Sequence, residues 1–479
     1  MGFKLKTAIF ALIFSINFLV PYDLMEMLHS LGEIQEIDNS LERYERFLEL
    51  RDPFYDRKGN PAVDKFIEAI EGSEEQIGSV SNDLRMFISS VLKENEQKKA
   101  KLQEVVLRYE ERALEEINKP DAWFLRKGLS DYRELVFADR LSSFMPFQPF
   151  IQKLIVPENK KIKLIVIGDL HGEKVCLSNI LNMLEGEKII DSNGKIIDPN
   201  CYLVFLGDYL DRGDDGVQTL IDVLEIKLRN FENVFLLRGN HEHFTCFRAS
   251  DEMYFELELE NIGFSELEAL NIYKVFELFP ASLSLVHGGD VFCFMHGGLQ
   301  HGLEINSFLN ERNPAKKFTL VGIRKGEQTF VQHYEDETKS VEERPLTSPL
   351  DLELLWVDFH EGEGYESDSY TFRNSLGTDI TRKLLEEYTK CIPYQIKAVF
   401  RGHDHDAANS GVSKMGDKVY TVVSSPPLLE GTQGYSCAEV CISSRGKFEL
   451  KKAPFTVSQL SDGRRRAVVD RAAAGPSGE

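Results

Sequence analysis

Apolar residues recur every three or four places from about residue 23 to 118, as in Leu24, Leu28, Leu31 and Ile34 and then Leu41, Tyr44 and Leu48. That is the stripe of an amphipathic helix. Asp52-Pro53 ends the first stretch, because proline has no amide hydrogen to give a helix interior. A second stripe, Ile77, Val80, Leu84, Phe87 and Val91, has heptad spacing and resumes as Leu102, Val105, Tyr109 and Ile117 after the polar interval from Lys93 to Lys101. Two clean heptads do not secure a long coiled coil. The interval carries no Gly or Pro, so one long helix and a helical hairpin both stay open. Functionally this region is a helical cap on the next domain or an arm for a protein partner, the cap being the simpler reading.

After Pro157 the pattern changes to short apolar runs alternating with helical segments. Lys163–Ile167, Tyr202–Leu206, Val234–Leu237, Val291–Met295, Ala398–Phe400 and Val419–Val423 are rich in β-branched and aromatic residues and read as buried strands. The pattern divides the chain into an apolar segment 1–22, a helical region 23–150, an α/β domain 151–456 and a flexible tail 457–479, the last set apart by its Arg-rich and then Ala/Gly-rich composition.

Composition narrows the classes. With 42% hydrophobic and 28% charged residues the chain is globular, and its net charge of −22 opposes binding to a phosphate backbone, which rests on Lys and Arg releasing counterions. No nucleic-acid partner is expected. The seven cysteines form no CxxC pair, so reduced thiols and a reducing cytosol are expected. The apolar run over residues 8–20 is shorter than the roughly 20 residues of a membrane span. No small-x-small cleavage pattern comes after it, so a signal, a membrane anchor and a buried helix all stay open, with the buried helix favoured.

The chemistry lies in the loop after each strand. Gly168-Asp169-Leu170-His171-Gly172 follows the first and Gly207-Asp208-Tyr209-Leu210-Asp211-Arg212-Gly213 the second. Arg238-Gly239-Asn240-His241-Glu242, His296-Gly297-Gly298-Leu299 and Arg401-Gly402-His403-Asp404-His405 follow the next three. Sites of layered α/β sheets form at the carboxyl ends of strands, so five such loops can share one rim. Asp169, His171, Asp208, Asn240, His296 and His403 offer imidazole and oxygen donors without thiolate, a set that suits Mn²⁺, Fe or Zn²⁺. His243 and His301 read as solvated neighbours of motifs. His405, two residues past His403, is open between ligand and neighbour.

These motifs resemble the phosphoprotein phosphatase family of metallophosphoesterases over roughly Ile162 to Ser444, and Leu354-Leu-Trp-Val-Asp358 is similar to the family's segment before its last metal histidine. The resemblance implies a β-sandwich flanked by helices. It implies that Asp169, His171 and Asp208 hold one divalent ion and Asp208, Asn240, His296 and His403 a second, with Asp208 bridging and manganese the favoured metal. Two such ions acidify water and clamp an in-line displacement, hydrolysing phosphomonoesters of proteins without a phosphoenzyme. His241 is then the candidate general acid and Asp211 its orienting partner. Arg212 and Arg238 can offer planar forks to phosphate oxygens.

The sequence departs from the family in places. A further phosphate-contacting arginine is absent from its expected place after Leu354-Leu-Trp, and Arg373 lies a few residues on as a substitute. The family's Ser-Ala-Pro-Asn-Tyr loop stands here as Ser424-Ser-Pro-Pro-Leu428. Phosphoserine/threonine and phosphotyrosine both stay open. The rivals are a metallophosphoesterase of dinucleoside polyphosphates or other small molecules, and a non-catalytic scaffold acting through the helical region. By resemblance, the helical addition and the insertions suggest a divergent bacterial effector phosphatase, which would work in host cytoplasm after secretion.

Overall fold

The computed structural model describes residues 80–124, 150–213, 215–242, 254–298, 306–320, 354–367, 374–405, 412–416, 418–425, 434–444, 447–459 and 465–469. The apolar segment 1–22, the stripe that ends at Asp52-Pro53, and Arg373, His243 and His301 lie outside them. The described residues divide into two compact units, 80–100 with Glu260–Phe264, and the remainder from Lys101 onward.

The polar interval does not break the helix: α1 runs unbroken over Val80–Ile117. Leu102, Val105, Tyr109, Ala113 and Ile117 form its buried stripe, while Arg108 and Glu104 pair one turn apart on the exposed side. Within the larger unit this stripe meets the sheets, with Tyr109 edge-on to Phe279 at 5.5 Å between ring centroids. In the smaller unit Asn95 donates to the Asn261 carbonyl at 3.2 Å. None of the described helices is long and apolar enough to cross a membrane.

The rest is a β-sandwich flanked by helices. In chain order it comprises β1 (Phe150–Val156), β2 (Ile162–Ile167), α2 (Lys174–Gly186), β3 (Cys201–Phe205), α3 (Gly216–Arg229), β4 (Val234–Leu236), α4 (Tyr254–Asn261) and α5 (Glu266–Tyr273). Next come β5 (Ser282–His287), β6 (Asp290–Met295), α6 (Asn306–Asn310), β7 (Phe318–Leu320), β8 (Asp358–Phe359), β9 (Tyr365–Ser367), β10 (Asn374–Leu376) and α7 (Thr378–Cys391). The last elements are β11 (Gln395–Arg401), β12 (Val412–Met415), β13 (Val419–Val422), β14 (Gly434–Ile442), β15 (Phe448–Gln459) and β16 (Arg465–Val469). One sheet has the order β12-β13-β11-β6-β5-β1-β7, the other β16-β15-β14-β2-β3-β4, and β8-β10-β9 form a small third sheet.

The sandwich core lies between the two large sheets. Leu164, Val166, Val204 and Leu206 from one meet Leu283, Phe292, Phe294, Phe400 and Val422 from the other. The alternate residues Ile165, Leu203 and Phe205 are buried too, which is why these strands read as unbroken apolar runs rather than as alternating ones. Residues 465–469, expected within a flexible tail, form β16 antiparallel to β15, with Val469 opposite Phe455. Their β-branched Val468-Val469 ending suits a strand.

β2, β3 and β4 are parallel neighbours, as are β6, β11 and β13. Their carboxyl ends therefore emerge on the same side of each sheet, and the loops after them meet over one edge of the sandwich. An isolated bridge between Asp169 and Val423 joins the two sheets there.

Candidate metal centre

Three of the five loops, those after β2, β3 and β11, contain backbone conformations that ordinary side chains rarely adopt. Among the described residues, the non-glycine residues with positive φ are His171 (46°), Lys188 (58°), Asp208 (52°), Asp211 (65°), Arg212 (68°) and His403 (71°). All but Lys188 belong to the motif loops, the kind of local strain that persists where surrounding structure enforces it. Close approach explains two of the glycines. A β-carbon on Gly207, whose φ is 108°, would lie 2.4 Å from the Gly239 nitrogen, and one on Gly402 would lie 2.2 Å from Asp169 Oδ1.

Two groups of ligand atoms result. Asp169, His171, Asp208 and His405 form one, and Asp208, His296 and His403 the other, with the atoms of each group within 4.8 Å of one another. Asp208 belongs to both. Asn240 Oδ1 joins the second group, 2.8 Å from His296 Nε2 and 3.0 Å from His403 Nδ1. The expected ligand set is thus brought together with one addition, His405. Its Nε2 lies 2.9 Å from Asp169 Oδ2 and 3.0 Å from His171 Nε2. The spacing of His405 from His403 is the signal the sequence carries, and only the turn after β11 shows that both rings face inward.

Backbone carbonyls fix the imidazoles. His171 Nδ1–H donates to the Leu210 carbonyl at 3.0 Å and His296 Nδ1–H to the Leu206 carbonyl at 3.1 Å. Nε2 of each ring is therefore turned into the cluster, the arrangement that outer hydrogen bonds give metal-binding histidines. Burial, with His241 and Arg212 nearby, holds the His171 pKa well below the usual imidazole range, so its ring is neutral. Burial also opposes the charge of Asp208, but His296, His241 and His171 outweigh it and keep the carboxyl well below the usual carboxylate range. Asp169 is likewise ionised, burial being outweighed by the His405 hydrogen bond and by His296.

Two buried carboxylates amid imidazole and amide oxygen donors fit hard or borderline divalent cations. The residues present fit the group.

Beside the cluster, His241 Nδ1–H donates to Asp211 Oδ2 at 2.7 Å, and the other Asp211 oxygen accepts the Phe255 amide at 2.9 Å. His241 Nε2 then lies 3.9 Å from Asp208 Oδ2. Burial lowers the His241 pKa, but Asp208 and the Asp211 hydrogen bond overcome it and raise it above the ordinary value. Arg212 Nη1 donates to His171 Nε2 at 3.1 Å and to His405 Nδ1 at 2.9 Å, at the rim of the first group.

Arg238 corrects an expectation. It is fully buried, and its guanidinium pairs with the Glu277 carboxylate at 3.3 Å and donates to the Glu277 and Phe279 carbonyls at 3.1 and 3.4 Å. A side chain held there props the loop from behind and presents no fork to an entering phosphate. Glu242, to which the motif alone assigns no role, has the opposite character. Its carboxylate accepts the amides of Asp208, Tyr209 and Gly239 at 2.8, 2.7 and 2.9 Å, stitching the β3 and β4 loops together under the shared aspartate.

A sandwich of this topology with two ligand groups sharing one aspartate at its edge defines the metallophosphoesterase class. The chain belongs to the calcineurin-like phosphoesterase family, which it matches over residues 162–407. It is 34% identical over 227 residues to serine/threonine-protein phosphatase PP1-delta of Caenorhabditis elegans, spanning 46% of this chain and 60% of that protein. To serine/threonine-protein phosphatase 5 of Rattus norvegicus it is 28% identical over 267 residues, 55% of this chain and 43% of the relative. The chain thus spans about half the length of these curated relatives. Among solved structures it is similar to a protein serine/threonine phosphatase from Saccharomyces cerevisiae with similarity to human phosphatase PP5, at 19% identity and TM-score 0.45, covering 78% of this chain and 92% of that one.

Proposed function

We propose that this chain is a metal-dependent phosphoprotein phosphatase that binds two divalent ions, manganese among those its donors suit. The carrying observation is the pair of ligand groups that share Asp208 with the His241–Asp211 pair beside them. Asp169, His171, Asp208 and His405 would hold one ion, and Asp208, Asn240, His296 and His403 the other. When bound, such ions supply Lewis-acid charge and acidified water for an in-line displacement at phosphorus.

The chain's own residues do the rest. His241, whose raised pKa keeps the imidazolium populated, gives its Nε2 proton to the departing alkoxide, and Asp211 holds the ring in that tautomer through Nδ1. Arg212, half-buried at the rim, would offer its guanidinium to the phosphate oxygens as a charge-assisted fork. Phosphoproteins are the substrate class that the serine/threonine-protein phosphatase names of the relatives favour.

A panel of phosphoserine, phosphothreonine and phosphotyrosine peptides with added Mn²⁺, set beside dinucleoside polyphosphates, tests the reading. Phosphate release from the serine or threonine peptides is expected. Hydrolysis of the nucleotides alone would contradict it.

A further inference from the structure

We infer that Arg401 and Asp358 are positioning residues for the second metal ion, acting as a buried ionic strut behind His296 and His403. The inference rests on the two-ion reading above and concerns residues that touch neither ion nor substrate.

Three separate stretches of chain meet at one guanidinium. Arg401 ends β11, two residues before His403, and is fully buried. Its Nε–H donates at 2.9 Å to the carbonyl of Gly297, the residue after His296. Its Nη2 donates at 2.7 Å to Asp358 Oδ1 and at 3.4 Å to the Val357 carbonyl, and Nη1 lies 3.7 Å from Asp404 Oδ2. Phe359 closes the underside, with the guanidinium 5.2 Å from its ring centroid. The same stretches are laced by backbone bonds, Gly297 N–H to the Leu354 carbonyl at 2.9 Å and Gly402 N–H to the His296 carbonyl at 3.0 Å.

Asp358 also faces the ring it would steady. Its Oδ1 is 4.0 Å from His403 Nε2, while Nδ1 of that ring is turned to Asn240. A carboxylate behind a metal-binding imidazole, itself held by another group, sets ring orientation and basicity, and losing such a partner commonly weakens metal affinity by about 10–100-fold. A wholly buried arginine is a poor device for stability alone, since its desolvation offsets most of what its partners return. Its directed contacts instead fix two histidines arriving from different strands. Asp169 and His171, at the end of β2, receive no bond from it.

The test is metal binding to the whole chain, stripped and reloaded with Mn²⁺, read as stoichiometry by elemental analysis and as the spin-coupled pair by electron paramagnetic resonance. Wild type should bind two ions. Arg401→Met and Asp358→Asn should each weaken the second ion by about 10–100-fold and turn the coupled spectrum into that of a single Mn²⁺, with the first ion kept. Arg401→Lys, which retains charge and one donor direction, should recover part of the loss. The double variant Arg401→Met/Asp358→Asn removes both charges of the pair and keeps the result readable where a single variant fails to fold. Two ions bound with wild-type affinity in any folded variant lacking the arginine or the carboxylate overturn the inference alone, as does equal weakening of both ions. Fewer than two ions in wild type overturn the two-ion reading itself, and the inference with it.

Discussion

Two side chains decide how the site behaves with pH and with mutation. The His241 side chain supplies no atom to either ligand group, so His241→Ala should leave both ions bound and lower turnover by about 10²–10⁴, the usual worth of a general acid; unchanged turnover with metals bound would remove it from the mechanism. His296 must be neutral to bind a metal. Burial favours its neutral form, but Asp208 beside it prevails and, with the metal absent, raises its pKa from 6.5 to about 8. Mn²⁺ binding should therefore release a proton below about pH 8, and affinity should climb from pH 6.5 and level off above 8. Titration in buffers of different ionisation enthalpy reads that proton, and affinity independent of pH across this range would refute the assignment. In the metal-free protein the same shift adds stability that is complete below about pH 6.5 and lost as pH rises through about 8. At this scale most members of the cluster were legible, because each is a His, Asp or Asn in a short glycine-bearing loop, while His405 stayed open between candidate ligand and neighbour. Arg238 was misread because its motif says which loop carries it, whereas the buried Glu277 carboxylate decides where it points.

The strands that carry the site were legible because both their faces are buried, which leaves short apolar runs ended by glycine. β1 and β5 were not. β1 carries Lys153 in mid-strand, buried because its ammonium donates to the Phe308 and Glu311 carbonyls at 2.6 Å each, and β5 buries Ser282 and Ser284. Polar residues satisfied by distant partners conceal a core strand from any reading of hydrophobic pattern. The packing of loop on loop was hidden for a similar reason, since it depends on how closely backbones approach. Gly402→Ala tests that approach. A methyl group 2.2 Å from Asp169 Oδ1 cannot be housed without moving that carboxylate or the His403 turn, so metal content after reloading should fall while the far-ultraviolet circular dichroism stays unchanged. Full retention of both ions would show that the loops have slack.

Across the whole molecule, the sandwich unit extends further toward the amino terminus than its strands. The second half of α1 belongs to it, with Tyr109 only 3% exposed and packed on Phe279 and Phe231. Truncation of a buried aromatic usually destabilises by roughly 3–5 kcal/mol. Tyr109→Ala should lower the urea midpoint accordingly without altering metal stoichiometry, and an unchanged midpoint would make α1 an appendage. The sequence showed the stripe but not what it covers, because amphipathic spacing says that a face is buried and is silent about its partner. The net charge of −22 opposes binding to a phosphate backbone, yet at the site two bound cations and Arg212 would set the local field instead, and peptides without strongly acidic surroundings should be preferred. The decisive measurement is phosphate release from a phosphoserine peptide by fully chelated protein as Mn²⁺ is returned stepwise. No activity should be seen without metal, and activity should saturate when two ions are bound per chain. Activity that survives chelation, or that is complete at one ion, would contradict a two-metal phosphatase built around Asp208.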